Sequence, residues 1–201
     1  MDRYFSVIMP TFNQCAFIRR AILSLMAVNL RQWRDCCGVV MQDGKLFSDT
    51  IINNIVLDDE HIDRDKLIRC CETAQILDEI NAMPKGFDTM IGERGRGLSG
   101  GLKQRLLIAR ALYRDPKYLF LDEATNSLDT INEKKIVDAL NSAFTDRTVV
   151  VAAHRLSTIR NAHQIVVMRD GMIVEIGDHE SLMKQKGHYY ELVESQANDI
   201  N

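Results

Sequence analysis

The sequence predicts an α/β fold in which a mostly parallel sheet is flanked by helices. In the second half of the chain, short apolar strand candidates alternate with helical patterns, and strands that are apolar throughout are typical of parallel sheets covered on both faces. Near the C-terminus, Asp170 and Gly171 separate two further apolar runs, which predicts one antiparallel hairpin.

The N-terminal half supplies the first elements. Residues 4–9 form an apolar, β-prone run that ends at a proline, and a helical pattern of apolar residues begins near Ala16. Residues 37–41 form a second strand candidate. Between residues 58 and 80, apolar side chains recur at helical spacing, which predicts one helix that ends before Pro84.

The second half gives the remaining elements in turn. Residues 100–114 form an amphipathic helix pattern that ends before Pro116, because proline disfavours a helical conformation in the residue before it. Apolar strand candidates follow at residues 118–121 and 148–152, with a helix pattern at residues 131–144 between them.

The predicted hairpin joins residues 164–168 to residues 172–176. Its Asp-Gly pair is typical of the tight turn that connects antiparallel strands. Asp178 follows at once and is placed to cap a short helix, because its side chain can accept a hydrogen bond from the first helical turn.

Composition indicates one domain of a soluble globular protein. The chain has 201 residues, of which 46% are hydrophobic and 26% charged, with a net charge of −3. No basic field favours nucleic acid as a partner. The apolar run at residues 21–28 is far shorter than the roughly 20 residues of a membrane-spanning helix. The cysteines show no CxxC spacing, which favours reduced thiols over a zinc site.

Two carboxylates follow the apolar strand at residues 118–121. Asp122 and Glu123 stand where that strand ends, and open α/β sheets bind ligands at the carboxyl ends of their strands. One carboxylate can hold a divalent metal while the other orients or deprotonates an attacking water. The alternative interpretation is a strand that ends in acidic turn residues.

Ser99, Gly100 and Gly101 precede the predicted helix at residues 100–114. Amide groups, a hydroxyl and the positive end of the helix dipole together form an anion site suited to a γ-phosphate. The alternative is an ordinary helix N-cap. His154 follows the strand at residues 148–152 and can hydrogen-bond a phosphate oxygen, although a lone histidine also fits a structural role.

Together these segments resemble the ABC ATPase family. Five ordered segments are similar to its motifs: Gln42 to the Q-loop glutamine, residues 98–105 to the signature, residues 118–123 to the Walker B strand, residues 127–129 to the D-loop, and His154 to the switch histidine. Residues 91–95 and 46–51 are similar to segments of exporter-type members. The resemblance covers residues 28–196 and implies a P-loop NTPase-like fold with an α-helical signature subdomain.

The resemblance implies a role for each matched residue, with ATP and Mg²⁺ as cofactors. Asp122 would hold Mg²⁺, and Glu123 would be the catalytic base that positions the hydrolytic water. His154 would contact the γ-phosphate. Gln42 would sense the metal and the water, and would couple the domain to a membrane partner.

The signature would serve a second nucleotide-binding domain in a head-to-tail dimer. Its members here, Ser99, Gly100, Gly101 and Gln104, would contact the ATP that the second domain holds, and Asp129 would act across the same interface. Leu102 departs from the glutamine common in the family at that position. The implied partner is the transmembrane part of an exporter, which places the chain in the cytoplasm or at the cytoplasmic face of the plasma membrane.

One family motif is missing from the sequence. The phosphate-binding loop, G-x-x-x-x-G-K-[ST], does not occur upstream of Gln42, where the family has it. Residues 5–22 instead resemble the beginning of a family 2 glycosyltransferase. These observations predict a foreign segment at residues 1–27 and a truncated ABC ATPase domain at residues 28–201.

The missing loop predicts impaired ATP binding and hydrolysis by this chain, since much of the triphosphate charge lacks a partner. The alternative is a catalytically inert remnant that contributes only a signature half-site or partner contacts. Glycosyltransfer is disfavoured because most of that fold is absent. Asp63 and Asp65 match the letters of its acidic metal motif but stand in a helical pattern.

Overall fold

A computed structural model of the chain describes residues 5–9, 30–57, 61–95, 97–122, 136, 148–152 and 159–198. The strands are β1 (Phe5–Met9), β2 (Cys37–Val40), β3 (Tyr118–Asp122), β4 (Thr148–Ala152), β5 (Gln164–Arg169) and β6 (Met172–Gly177). The helices, numbered along these residues, are α1 (Leu30–Asp35), α2 (Ile51–Val56), α3 (Arg64–Thr73), α4 (Leu77–Asn81), α5 (Gly100–Tyr113), α6 (His179–Gln185) and α7 (His188–Asn198).

The six strands form one sheet in the order β2-β3-β4-β1-β5-β6. The first five are parallel to one another, and β6 is antiparallel to β5. This arrangement confirms the predicted α/β class with its mostly parallel sheet. The first strand in sequence lies inside the sheet, where Val7 pairs with both Val151 and Ile165.

The antiparallel hairpin is confirmed where the sequence predicts it. Asp170 and Gly171 have positive φ angles of 51° and 81°, which two-residue hairpin turns require and which asparagine, aspartate and glycine tolerate. Asp178 caps α6 as expected, since its carboxylate accepts from the Ser181 amide at 2.8 Å. The Ser181 hydroxyl accepts in turn from the Asp178 amide at 3.0 Å, which completes a capping box.

The prediction of a single helix at residues 58–80 is wrong. The described part of that range contains α3 and α4, separated at Gln75, whose φ of 56° lies in the left-handed region. The Ile76 amide donates to the Cys71 carbonyl at 2.9 Å, as in a Schellman-type helix end, so α3 ends there. Apolar residues are buried on both sides of the break, and helical spacing therefore continues through it.

Helix α5 lies at the centre of the core. Leu106, Ile108 and Ala109 are fully buried on it, and it packs against α2, α3 and β2. It begins and ends close to its predicted bounds. The helix predicted at residues 131–144 lies outside the described residues apart from Ile136, which is helical and buried. Among the residues described, the helices are all too short or too polar to cross a lipid bilayer.

Candidate functional site

The carboxyl ends of β2, β3 and β4 meet at one edge of the sheet. Val40 pairs with Leu121, and Asp122 pairs with Ala152. Asp122 is therefore at the edge, and Gln42 stands two residues beyond the end of the neighbouring strand. Carboxylate and amide oxygens suit Mg²⁺, which prefers hard oxygen ligands, so these two side chains fit the metal that the sequence predicts.

Three of the predicted site residues, Glu123, Asp129 and His154, lie outside the described residues. Glu123 directly follows β3, and His154 stands two residues after β4 in the sequence. Their roles stay predictions. Within the part of the chain that the structure describes, no group of three histidine, cysteine or acidic side chains could hold a metal ion.

Gln42 is exposed in a turn that packs directly against α5. The Gly44 amide donates to the Met41 carbonyl at 3.1 Å and closes the turn. A Cβ atom on Gly44 would lie 2.6 Å from Cδ1 of Leu107, which is closer than real Cβ contacts. The absence of a side chain at Gly44 therefore allows the turn that carries Gln42 to lie against the helix.

The start of α5 combines an N-cap with exposed donors. The Ser99 Oγ accepts from the Leu102 amide at 3.1 Å, which matches the N-cap interpretation and leaves the hydroxyl hydrogen for another acceptor. The first amides of a helix have no acceptor within it, and none of the residues described here accepts from Gly100 or Gly101. Ser99 and Gly100 are exposed, so the N-cap geometry and the anion site are compatible.

Gln104 differs from the other signature residues because it is buried. Only 5% of it is exposed, and none of the residues that the structure describes hydrogen-bonds its Nε2. An unpaired buried amide costs about 1–3 kcal/mol. Contact between Gln104 and a nucleotide stays a prediction, and its burial contrasts with the exposure of Ser99 and Gly100.

Arg105 contributes a polar connection that the sequence did not predict. Its Nη1 donates to the Gln75 carbonyl and its Nη2 to a Glu79 oxygen, both at 2.6 Å. The Arg105 side chain is 8% exposed, whereas that of Glu79 is 46% exposed. The start of α5 is therefore connected to the left-handed break before α4. The one sequence signal was a charged residue on a largely apolar helix.

Two of the described cysteines have raised pKa values. Burial raises the pKa of Cys37 to about 11, with a smaller contribution from Cys36, and burial raises the pKa of Cys71 to about 12, helped by Cys70 and Glu72. Thiols with such pKa values stay protonated near neutral pH and are poor nucleophiles. Cys37 begins β2, at the end of the strand opposite Gln42.

Comparison with known proteins identifies related chains. A family model described as "ABC transporter" matches residues 16–126, which is more than half of the chain. That match begins inside the predicted foreign segment at residues 1–27. The chain is 48% identical to P-glycoprotein 14 of Caenorhabditis elegans over 169 residues, which is 84% of this chain and 13% of that protein.

Two further matches agree. The mouse (Mus musculus) ATP-binding cassette sub-family B member 5 is 48% identical over 172 residues, 86% of this chain and 14% of the relative. A solved structure of a bacterial Atm1-family ABC exporter with ATP bound superposes with a TM-score of 0.88 at 34% identity, and covers 97% of this chain and 37% of that one. The chain thus spans a small part of the length of each relative.

Proposed function

The chain belongs to the ABC transporter family as the nucleotide-binding domain of an exporter, and we propose that it serves ATP-powered export by completing a nucleotide site shared with a second such domain. The observation that carries this proposal is the exposed start of α5, where a serine hydroxyl and two glycine amides stand together. The chain spans 13% of P-glycoprotein 14, so the transport activity itself belongs to a larger assembly.

The start of α5 binds the γ-phosphate of ATP held by the second domain. Its amides carry the positive end of the helix dipole, equivalent to about half an elementary charge. The Ser99 hydroxyl and the amides of Gly100 and Gly101 donate to the phosphate oxygens, while the Ser99 Oγ keeps its bond to Leu102. This arrangement needs no positively charged side chain at the helix start.

Residues at the carboxyl edge of the sheet would bind the metal and activate the water. Mg²⁺ held at this edge would neutralise charge on the phosphates. Asp122 would hold the metal through its carboxylate, together with the amide oxygen of Gln42; the pairing of Val40 with Leu121, which makes their two strands neighbours, supports this assignment. Glu123 orients the attacking water and accepts its proton, and His154 donates to the γ-phosphate. Both assignments rest on position in the sequence.

The chain's own nucleotide site is weakened. The sequence upstream of Gln42 contains no G-x-x-x-x-G-K-[ST] loop, which would otherwise surround the phosphates with amides and a lysine. β1 brings its carboxyl end to the same edge as Asp122, but the residues that follow Met9 do not form this motif. The same observation favours the second candidate function, an inert chain that only presents the start of α5.

The partners follow from this assignment. A second nucleotide-binding domain meets the chain head to tail, with Asp129 contributing at the shared interface. The transmembrane part of an exporter engages the Gln42 region and holds the pair at the cytoplasmic face of a membrane. The similarity to a solved structure described as a bacterial ABC exporter supports a partner of this kind.

A complementation assay tests the proposal. An intact homologous nucleotide-binding domain is inactivated by substitution of its own signature serine, which leaves its phosphate loop in place. Adding the purified chain should restore ATP hydrolysis by supplying the missing half-site. Ser99→Asp is the matched variant, because aspartate still caps a helix but its charge repels phosphate. We expect it to restore nothing, whereas Ser195→Asp, at an exposed serine near the C-terminus, should restore as the parent does.

If the parent chain does not restore ATP hydrolysis, the proposed function is wrong. Binding of Mg-ATP to the chain alone separates the two candidates further. We expect equilibrium titration of the purified chain to show no micromolar binding. Tight binding that is abolished by Asp122→Asn would instead show a working site of its own and contradict the predicted impairment.

A further inference from the structure

Arg110 connects α5 to the segment that follows Gln42. Its Nε donates to the Asn54 carbonyl at 2.6 Å, its Nη2 to the Asn54 Oδ1 at 2.9 Å, and its Nη1 to the Lys45 carbonyl at 2.9 Å. The guanidinium also lies 5.2 Å from the centre of the Phe47 ring. One side chain therefore holds both ends of residues 45–54.

Asn54 completes this connection from within the segment. It is 1% exposed. Its Oδ1 accepts from the Phe47 amide at 2.8 Å, and its Nδ2 donates to the carbonyls of Phe47 and Thr50, both at 3.0 Å. The oxygen and the nitrogen of the Asn54 side-chain amide therefore both have partners. These bonds hold residues 47–54 in one conformation, and Arg110 contacts the same segment.

The contacts of Arg110 are better explained by the geometry they impose than by a gain in stability. No ion pair among the residues described includes Arg110, and burial lowers its pKa. Arg110 is half-buried, and taking a guanidinium partly out of water costs free energy that its hydrogen bonds must offset. What the planar fork supplies is direction, because three donors reach three fixed acceptors in a way that lysine cannot reproduce.

The turn that carries Gln42 touches the same helix one turn earlier. Gly44 lies against Leu107, three residues before Arg110, while Lys45 is held by Arg110 itself. The start of α5 lies about 15 Å along the helix from Arg110, at about 1.5 Å per residue. A helix buried on most sides moves as one body over that length.

We propose that Arg110, together with Asn54, is a positioning residue that fixes the turn bearing Gln42 relative to the start of α5, so that a displacement of one is passed to the other. The turn that bears Gln42 and the signature residues at the start of α5 then move together. The proposal rests on the proposed function only in assuming that the start of α5 contacts a nucleotide.

Native-state hydrogen exchange of the nucleotide-free chain tests the connection directly. In the parent, the amides of Gly44 and Asn54 should open together with those of α5, with equal protection. In Arg110→Lys, protection at residues 44–54 should fall by about tenfold or more, because the fork's bonds to carbonyls are lost, while α5 keeps its protection. Arg114→Lys, at the exposed residue after α5, is the matched control and should change neither.

Unchanged protection at residues 44–54 in Arg110→Lys would overturn the proposal, as would an equal fall along α5, which indicates a merely structural role. If Arg110→Lys does not fold, Arg110→Met gives the same comparison without a buried charge. In the complementation assay, Arg110→Lys should lower kcat by about a hundredfold with an unchanged KM, since misplacement of a catalytic group by about an ångström can cost that much. Failure of the parent to restore hydrolysis removes the proposed function and leaves the exchange result to decide the connection.

Discussion

Two regions of this chain are held by different kinds of polar contact. On α5, Arg105 and Arg110 reach partners that are 26 to 65 residues away in sequence. In the C-terminal region, Asp178 caps α6 from three residues away, and Glu175 caps α7 from 13 and 14 residues away. The polar contacts of α5 therefore join segments that are distant in sequence, whereas those of the C-terminal region join neighbouring segments.

The two regions also differ in what they bury. Most of α5 is enclosed, whereas Met172, Ile173 and Ile176 on β6 are exposed. Local caps set the ends of individual helices, but they do not fix how distant elements lie relative to each other. The long-range contacts do so, and they occur beside the residues predicted to bind nucleotide. The comparison therefore predicts that single substitutions on α5 lower the free energy of unfolding more than single substitutions in the C-terminal region.

The largest effect is expected at Arg105. Arg105→Met keeps the apolar stem but removes the donors to Gln75 and Glu79, and should lower the free energy of unfolding by about 3 kcal/mol. Urea denaturation measures the change. Glu79→Gln should cost less, because Glu79 is half exposed and its amide oxygen still accepts. Arg114→Met, beyond the helix, should stay within about 0.5 kcal/mol of the parent.

The next effect is expected at Glu175. Its two oxygens accept from the amides of His188 and Tyr189 at 2.7 and 2.9 Å, so Glu175→Ala should lower stability by about 1.5 kcal/mol through loss of a helix cap. Glu175→Gln, which retains one acceptor, should cost about half of that. A loss in Glu175→Ala that exceeds the loss in Arg105→Met would break the comparison.

A smaller effect is expected in the hairpin turn. Gly171 has a φ of 81°, and Gly171→Ala should lower stability by about 1 kcal/mol, because a side chain disfavours the left-handed region. Asp170→Asn, in which asparagine tolerates the same conformation, serves as the control. Thermal unfolding of both variants would separate backbone strain from any effect of altered charge; equal melting temperatures would contradict the expectation.

The smallest effect is expected at Asp178 and depends on pH. Hydrogen bonds from Ser181, first from its amide, hold the pKa of the Asp178 carboxyl below its ordinary value. A depressed pKa in the folded state contributes stability above the unfolded pKa, which is lost as pH falls through the folded pKa. Asp178→Asn also caps the helix but does not titrate.

Melting temperatures of the parent and of Asp178→Asn should therefore converge as the pH falls from about 5, where carboxylates begin to take up protons. We expect the parent to be the more stable chain at neutral pH by a small margin, because its carboxylate also faces Lys184. A constant difference between neutral and acid pH would show that the charge of Asp178 contributes nothing to the cap.

The sequence could predict features that depend on local contacts, and it could not predict those that depend on long-range contacts. The turn at Gly171 and the cap at Asp178 were predictable, since each depends on residues within a few positions. Ser99 could be placed at a helix start, and Asp122 at a strand end, for the same reason. The apolar strands were predictable from burial on both faces.

Long-range features were not predictable. Gln75 adopts a left-handed conformation without being a glycine, so spacing alone predicted one helix across it. The partners of Arg105 and Arg110 include backbone carbonyls that are far away in the sequence, and no sequence motif marks a carbonyl. The place of β1 inside the sheet likewise depends on strands that begin at Thr148 and Gln164.

That place of β1 has a consequence for synthesis on the ribosome. Both neighbours of Phe5–Met9 in the sheet come after residue 147 in the sequence. At about 5–20 residues per second, roughly seven to thirty seconds pass before the first of them is made. Throughout that interval an apolar strand has two unpaired edges, which invites association with other nascent chains. We expect chaperone binding to the nascent chain to be strongest in this window and to fall once Thr148–Ala152 and Gln164–Arg169 have emerged.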